Sequence, residues 1–465
     1  MAPHKPQSSD FRSLSLRAEL LKSLDSLGYE KMTAVQAESL PITLVGRDIL
    51  AQAETGSGKT AAFGLSILNG LDPKSYSTQS LVICPTRELA DQVSVEIRQL
   101  AKFMPNIKLL TLCGGKPLGT QLNSLKRHPH IIVGTPGRLL QHLKKGSLNL
   151  KNTSAIVLDE ADRMLSMGFI DDIEIIIQEC PDERQTLLFS ATYPEEILKI
   201  SSSYQQQPTT LTIQSSAKSA SIKQEFYHAS RDNRLEKLNS ILKETKPGST
   251  LIFCNQKAQA QQLQADLIKI GHHALSLHGD LEQFDRDQTL IRFANHSTSI
   301  LVATDVAARG IDVEKLELVV NYELPAEAET YIHRMGRTGR AGLGGLAVSL
   351  VLPNEEYRFK RIMKLLEVSI EIKDIQAQKR ETEFKLYPPN TTLFINSGRK
   401  HKISAGDFVG ALTATREIVG ESLGKINILE NMSYIAIKNT ASKAALKILS
   451  ETTIKGRKIR AKKLN

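Results

Sequence analysis

With 465 residues, 24% charged and 41% apolar, the chain is too long for one core and has the make-up of a soluble globular protein of two to four domains. No apolar stretch approaches the roughly 18 residues that cross a bilayer, and Met1-Ala2-Pro3-His4-Lys5-Pro6 leads into no apolar segment, so the expected location is the cytoplasm, with no membrane partner. The net charge of +10 is uneven: Thr391 to Asn465 holds 14 Lys and Arg against 5 Asp and Glu, which predicts a polyanionic partner for that segment.

In chain order, the apolar run Asp48-Ile49-Leu50-Ala51-Gln52 precedes the loop Ala53-Glu54-Thr55-Gly56-Ser57-Gly58-Lys59-Thr60, which opens a helix-like stretch. The loop fits the Walker A pattern except that Ala53 stands where the first Gly is usual. A strand, a glycine loop and a helix N-terminus together turn backbone N–H groups toward an anion. Lys59 then reaches the β- and γ-phosphates, and the Thr60 hydroxyl is placed to ligate Mg²⁺. About a hundred residues on, Ala155-Ile156-Val157-Leu158 reads as a buried parallel strand that delivers Asp159-Glu160-Ala161-Asp162 to the carboxyl edge of a sheet, where such folds put their ligands. Asp159 is a metal ligand in this reading, and Glu160 polarises water.

Further short apolar runs, Leu81-Val82-Ile83-Cys84, Ile131-Ile132-Val133 and Thr186-Leu187-Leu188-Phe189, alternate with helical patterns up to about Leu211. That alternation predicts a parallel sheet wrapped by helices. Pro85-Thr86-Arg87-Glu88-Leu89-Ala90, Gly114-Gly115 and Thr135-Pro136-Gly137-Arg138 each follow a strand. Singly each is a turn with a helix cap; together they offer the hydroxyls, arginines and glycine amides of a groove that tracks a nucleic-acid backbone. Cys84, Cys113, Cys180 and Cys254 show no metal-ligand spacing and read as buried thiols.

The stretches Gln205-Gln206-Gln207-Pro208 and Ser215 to Ser221 read as a linker. A second strand set follows at 251–254, 274–277, 300–303, 318–320 and 347–350, so a second α/β domain is expected to end near Val368. It carries His333-Arg334-Met335-Gly336-Arg337-Thr338-Gly339-Arg340, where Arg337 and Arg340 suit a grip on transferring phosphate in trans; arginine fingers contribute about 10³ to 10⁵ in rate. Charged residues from Glu371 to Pro389 read as a second linker. The remainder, with a strand at 392–395, a helix after Ser404, strands near 426–429 and 434–437, a helix from Ala441 to Leu449 and a last strand near Lys458, has the order βαββαβ common in RNA-recognition modules. Only Phe394 and Tyr434 are aromatic on its two central strands, so phosphate contacts from Arg399, Lys400, His401, Lys402 and the basic residues from Lys455 to Lys463 are expected to outweigh base stacking.

In order, these segments resemble the motif series of the DEAD-box RNA helicases from Phe11 to about Val351. The resemblance implies two tandem RecA-like parallel-sheet domains followed by a small α+β, RRM-like domain, divided as 1–211, 212–370, a linker at 371–390 and 391–465. It implies an ATP-dependent RNA helicase that opens short duplexes, with ATP and Mg²⁺ as cofactors. Gly28-Tyr29 through Gln36 resembles the Q motif: Gln36 reads adenine while Phe11 and Tyr29 pack around the base. Met32 and Ala34 replace two prolines usual there. Ser190-Ala191-Thr192 matches the motif that couples hydrolysis to strand separation, with Asp162 as hydrogen-bond partner and His333 in the same coupling set. Ala303 to Asp312 matches motif V, implying Thr304 on RNA and Asp312 on the ribose; Gln283 and Arg286 fall in a QxxR motif. By the same likeness Pro85, Thr86, Arg87, Gly115, Thr135, Arg138 and Arg286 contact RNA, and Asn255 stands where motif IV often has Thr.

Gly398-Arg399-Lys400-His401-Lys402-Ile403, Gly406-Asp407 and Gly410-Ala411-Leu412 resemble the C-terminal domain of the bacterial DbpA subfamily, with Ser404 and Ala405 where Arg and Pro are frequent. This implies that Arg399, Lys400 and Lys402 anchor a monomeric enzyme to a hairpin of 23S ribosomal RNA in the large-subunit precursor. A DNA translocase, an ATP-gated RNA clamp or chaperone, and a remodeller of another RNA are the rival readings.

Overall fold

The computed structural model describes residues 9–53, 56–213, 222–308, 316–339, 344–375 and 384–464. The chain divides into two compact units, Met1–Lys218 and Ser219–Asn465.

The first unit holds a seven-stranded parallel sheet of β1 (Ile49–Gln52), β2 (Ser80–Ile83), β3 (Leu109–Leu112), β4 (Ile131–Gly134), β5 (Ala155–Leu158), β6 (Gln185–Ser190) and β7 (Thr209–Thr212), in the spatial order β3-β4-β2-β5-β6-β1-β7. A parallel sheet is covered on both faces, so its strands must be apolar on both sides. Accordingly β2, β4 and β5 are buried at every position. Successive side chains alternate between two cores: Ile49, Val82, Val157 and Phe189 enter one, and Leu50, Leu81, Ile156 and Leu188 the other. The covering helices start on local caps. Thr86 Oγ1 accepts a hydrogen bond from Leu89 N at 3.2 Å to open the helix Arg87–Leu100, whose Ala90, Val93, Ile97 and Leu100 form its buried stripe.

The second unit repeats the plan with β8 (Lys223–His228), β9 (Thr250–Cys254), β10 (Ala274–Leu277), β11 (Ile300–Thr304), β12 (Leu318–Asn321), β13 (Leu346–Val351) and β14 (Ile372–Lys373), ordered β10-β11-β9-β12-β13-β8-β14. Matched strand for strand, the two orders are the same. The rest of this unit is an antiparallel sheet of β15 (Asn390–Ile395), β16 (Leu423–Ile428), β17 (Ser433–Lys438) and, after the short hairpin β18 (Thr453–Ile454) and β19 (Arg457–Lys458), β20 (Ala461–Lys463), ordered β16-β17-β15-β20. Helices Ala405–Thr413 and Ser442–Glu451 complete βαββαβ.

Several expectations change. β3 is the strand expected before Gly114, here given its bounds, while β7, β8 and β14 were not anticipated; β7 and β14 are edge strands with little apolar content. Gln205 is not linker: its Nε2 donates to Ile49 O and Thr186 O, both at 2.8 Å, and holds β7 to the sheet. The segment 371–390 is not a free linker where it is described. β14 joins the second sheet beside β8, Leu386 is buried in its core, and Leu386 N donates to His272 Nδ1 at 3.1 Å. The strand expected near Lys458 is one arm of the hairpin, and the sheet is closed by β20 instead, which pairs with β15. The antiparallel sheet also sits directly on the second parallel-sheet domain. Thr392 Oγ1 meets Ser297 Oγ at 2.6 Å and accepts from Asn295 Nδ2 at 3.2 Å, and Asn390 Nδ2 donates to Asn295 O at 3.0 Å. Tyr434 is fully buried there and hydrogen-bonded to Gln288.

Candidate nucleotide and RNA sites

The sheet order of the first unit sorts its loops. The adjacent strands β5, β6 and β1 release Asp159-Glu160, Ala191-Thr192 and the phosphate loop at one half of the carboxyl edge. The adjacent strands β2, β4 and β3 release Pro85-Thr86-Arg87, Thr135-Arg138 and Gly114-Gly115 at the other half.

On the first half, Gly56 and Gly58 take φ of 82° and 93°, a region that costs other residues strain. A Cβ on Gly58 would lie 2.6 Å from Gln36 Nε2. Gln36 itself is buried; Thr33 N donates to its Oε1 at 2.9 Å as part of a capping box, and its Nε2 donates to Gly58 O at 3.1 Å. Phe11 is buried and meets Tyr29 edge-on, with ring centroids 6.1 Å apart. Tyr29 donates to Glu96, and burial followed by that carboxylate pushes its phenol up to about 12. Lys59 is buried at the helix start and donates to Ala53 O at 3.0 Å; Thr60 follows it in the first turn. Glu54 and Thr55 lie outside the described residues.

Asp159 is buried, and its Oδ1 has no hydrogen-bond partner. Burial raises its pKa to about 6, Glu160 adds to the rise, and Lys59 opposes it. A buried carboxylate oxygen without a donor, close to the Lys59 charge at a helix start, fits a hard divalent cation. Glu160 has left-handed backbone (φ 52°) and accepts from Arg163 Nη1 at 2.7 Å in a buried ion pair. Asp162 Oδ2 accepts from Thr192 N and Thr192 Oγ1, both at 3.0 Å, while Asp162 N donates to Ser190 Oγ at 3.3 Å. Gln52 Nε2 donates to Ala191 O at 3.1 Å. The three segments around the phosphate loop are thus one hydrogen-bonded body.

On the second half, a Cβ at Gly114 would lie 2.6 Å from Arg87 Nη2, so glycine is what lets Arg87 settle on that loop. Gln121 ties the remaining loops: its Nε2 donates to Cys113 O at 2.9 Å, and its Oε1 accepts from Arg138 Nη1 at 2.8 Å. Pro85, Thr86, Arg87, Gly115, Thr135 and Arg138 are therefore brought to one edge.

In the second unit, Thr304 ends β11 and is partly exposed, and Arg286 Nη2 donates to Ala307 O at 2.8 Å. His333 lies on the helix Ala328–Met335, and Arg337 follows it largely buried; Asp312 and Arg340 lie outside the described residues. Arg334 is the center of this region. Its guanidinium binds both Asp305 oxygens, Asn321 Oδ1, Glu323 O and Asn255 Oδ1, and lies over the Phe253 ring. Asn255 is accordingly a structural acceptor for Arg334 in this structure.

In the antiparallel domain, Arg399, Lys400 and Lys402 are exposed on a short turn. The turn is seated by Arg399 N on Leu429 O and Lys400 N on Glu430 O, at 2.9 and 2.8 Å. Lys455 Nζ donates to Lys402 O and pairs with Asp407, bringing the two basic stretches together. The Ser404 hydroxyl and N–H, then Lys455, hold the Asp407 carboxyl down at about 2.

Sequence reasoning missed Arg163, Gln121 and Arg334 as organisers. Arg163 stands three residues after Glu160, a helical charge spacing that could have marked it; Gln121 and Arg334 work through contacts between segments distant in the chain, which no local pattern shows.

A phosphate loop and a carboxylate pair on one parallel sheet, repeated as a second sheet with arginines after a helix, define a nucleotide-hydrolysing machine of two RecA-like domains. The chain matches the DEAD/DEAH box helicase family over residues 33–200, the helicase conserved C-terminal domain over 233–342 and the DbpA RNA binding domain over 392–463. ATP-dependent RNA helicase DbpA of Escherichia coli K12 is 48% identical over 96% of this chain and 97% of that protein. DbpA of Bacillus subtilis 168 is 37% identical over 98% of this chain and 100% of the relative. Yeast Dbp5 bound to RNA and ADP BeF3 superposes with a TM-score of 0.71 at 31% identity, covering 79% of this chain and 96% of that one. The chain therefore belongs to the DbpA-like DEAD-box ATP-dependent RNA helicases. It hydrolyses ATP and binds RNA. Among the described residues no helix is long and apolar enough to cross a membrane.

Proposed function

We propose that this helicase locally opens short RNA duplexes while its basic C-terminal domain holds it on 23S ribosomal RNA in the large-subunit precursor, as a cytoplasmic monomer. The observation that carries the anchoring is the joined basic surface of Arg399, Lys400, Lys402 and Lys455, seated beside a sheet whose Tyr434 is already buried. Phosphate contacts position a protein on folded RNA without unstacking its bases.

At the nucleotide, Lys59 grips the β- and γ-phosphates, Gln36 and the Phe11–Tyr29 pair form the base side, and Asp312 takes the ribose. Asp159 and Thr60 are the residues that would hold Mg²⁺, which, when bound, neutralises charge building on the phosphates. Glu160, aimed by Arg163, orients the attacking water. Arg337 and Arg340 belong to the other unit from Lys59, so hydrolysis waits on both units and can be linked to RNA bound at Thr86, Arg87, Gly115, Thr135, Arg138, Arg286 and Thr304. Asp162, Ser190, Thr192 and His333 carry that linkage. The working parts are the first sheet through β7, the second sheet through β14 with Leu386 in its core, and the antiparallel domain from β15 onward.

The test is crosslinking of the full chain to total cellular RNA, beside a variant with Arg399, Lys400 and Lys402 changed to Ala. Crosslinks concentrated on one 23S hairpin and dispersed in the variant support the anchoring; scattered crosslinks from both remove the ribosomal target and leave the helicase.

A further inference from the structure

The far end of the first sheet carries a groove that the helicase cycle does not use. It is a cavity of about 530 Å³ between the C-terminal end of the helix Arg87–Leu100, the start of β3 and the turn after the helix Leu118–Leu125. Ile97, Met104, Ile107 and Leu109 supply its apolar lining, and Arg98, Lys102, Lys108 and Arg127 stand exposed around it. No carboxylate is among the described residues that line it. β3 is the edge of the sheet, paired only with β4, and Arg98 Nη2 already covers its Leu109 carbonyl at 3.3 Å. Lys108 Nζ is held on Arg127 O at 3.1 Å, which draws two of the cations together.

We propose that this groove docks a partner protein through a short extended segment in which acidic side chains alternate with apolar ones. An edge strand accepts an added strand through the backbone groups turned away from its neighbor; here the added strand takes over the Leu109 carbonyl from Arg98, which turns to a carboxylate, and it sends alternate side chains to opposite faces. Apolar residues of the segment then cover the half-buried Ile107, Leu109 and Leu110, and its carboxylates meet the four cations. The volume lies in the range of pockets that take a ligand of drug size. A nucleic-acid strand matches the charge but not the floor, because phosphates gain nothing from covering Ile107 and Leu109. The groove lies at the start of β3, whereas Gly114 and Gly115 follow its end. An occupant therefore leaves the RNA loops open, while touching both the helix that begins at Arg87 and the strand that leads to Gly115.

The experiment pans a displayed library of random nonapeptides on the full chain and on a variant with Arg98, Lys108 and Arg127 changed to Glu. All three residues are exposed, so the variant is expected to keep its fold and its RNA-stimulated ATPase rate. A second variant, with Lys102, Lys108 and Arg127 changed to Ala, serves if the first does not fold. The expected result is a set of acidic–apolar alternating peptides whose affinity falls at least tenfold on either variant. Peptides without that bias, peptides indifferent to the substitutions, or no enriched peptide at all would overturn the proposal. So would RNA crosslinks at Lys102 or Lys108 that the variants lose.

Discussion

The Arg334 guanidinium grips Asp305 with two parallel hydrogen bonds, Nε to Oδ1 at 2.6 Å and Nη2 to Oδ2 at 2.7 Å, with the arginine 99% buried. This pair joins the end of β11 to the helix that leads to Arg337. Breaking a buried pair leaves a charge without compensation and costs about 3–5 kcal/mol. Arg334→Ala should therefore lower the unfolding midpoint of the second unit in urea, and Arg334→Lys should rescue little, because an ammonium cannot make the planar double contact. Wild-type stability in Arg334→Ala would show that the contact network is dispensable.

Gly58 combines a left-handed backbone with a side-chain neighbor 2.6 Å from where a Cβ would stand. Gly58→Ala should displace Gln36 and the phosphate loop together, raising KM for ATP at least tenfold while leaving RNA affinity without nucleotide within about twofold. Equilibrium RNA binding and steady-state ATPase measurements separate the two.

Asp159 is held at a pKa of about 6, above the ordinary 3.8, mainly by burial. If Asp159 holds Mg²⁺ as proposed, the carboxylate is the form that binds it, so ATPase activity should fall as pH drops through 6, and raising Mg²⁺ should move that limb to lower pH. For stability the sign is opposite to a salt-bridged aspartate. The folded state binds the proton more tightly, so the carboxylate destabilises above pH 6 and the penalty vanishes below about pH 4. Without metal, Asp159→Asn should be more stable than wild type at pH 7.5, and the difference should close by pH 4. A stability gap that ignores pH would contradict the burial argument.

Thr192 donates twice to Asp162, from N and from Oγ1. Thr192→Ala with Ser190→Ala removes the side-chain donor and leaves the backbone one. Strand displacement should fall at least tenfold while RNA-stimulated ATP hydrolysis stays within about threefold. Equal losses in both assays would place these residues in the chemistry instead of the coupling.

If Arg399, Lys400 and Lys402 each neutralise a phosphate on a structured hairpin, the log–log dependence of RNA affinity on salt should be steep, with a slope near −0.9 per contact by analogy with duplex DNA. The triple Ala variant should flatten it by about 2.7. An unchanged slope means that these cations face solvent in the complex.

Much of the site was legible because its chemistry is local. A phosphate loop needs a strand, glycines and a helix start within a dozen residues, and Ala53 to Thr60 show them; Asp159 follows an unbroken apolar run that only a covered strand explains. The edge strands β7 and β14 were illegible because an edge strand needs no apolar alternation, and Gln205 read as linker because its polarity is spent on backbone acceptors far away in sequence.

The chain's own pattern determined that there are two parallel-sheet domains, which segments are proposed to carry nucleotide and RNA chemistry, and that the basic excess lies at the end. Only the fold decided that β5, β6 and β1 lie side by side, so that the candidate nucleotide loops gather on one half of the edge and the candidate RNA loops on the other. It alone decided that Lys455 reaches Lys402, that Tyr434 is covered and that Arg334 centers its domain. Strand order and buried polar pairing depend on contacts between residues tens to hundreds of positions apart, and a periodicity read within one element carries no information about its neighbor.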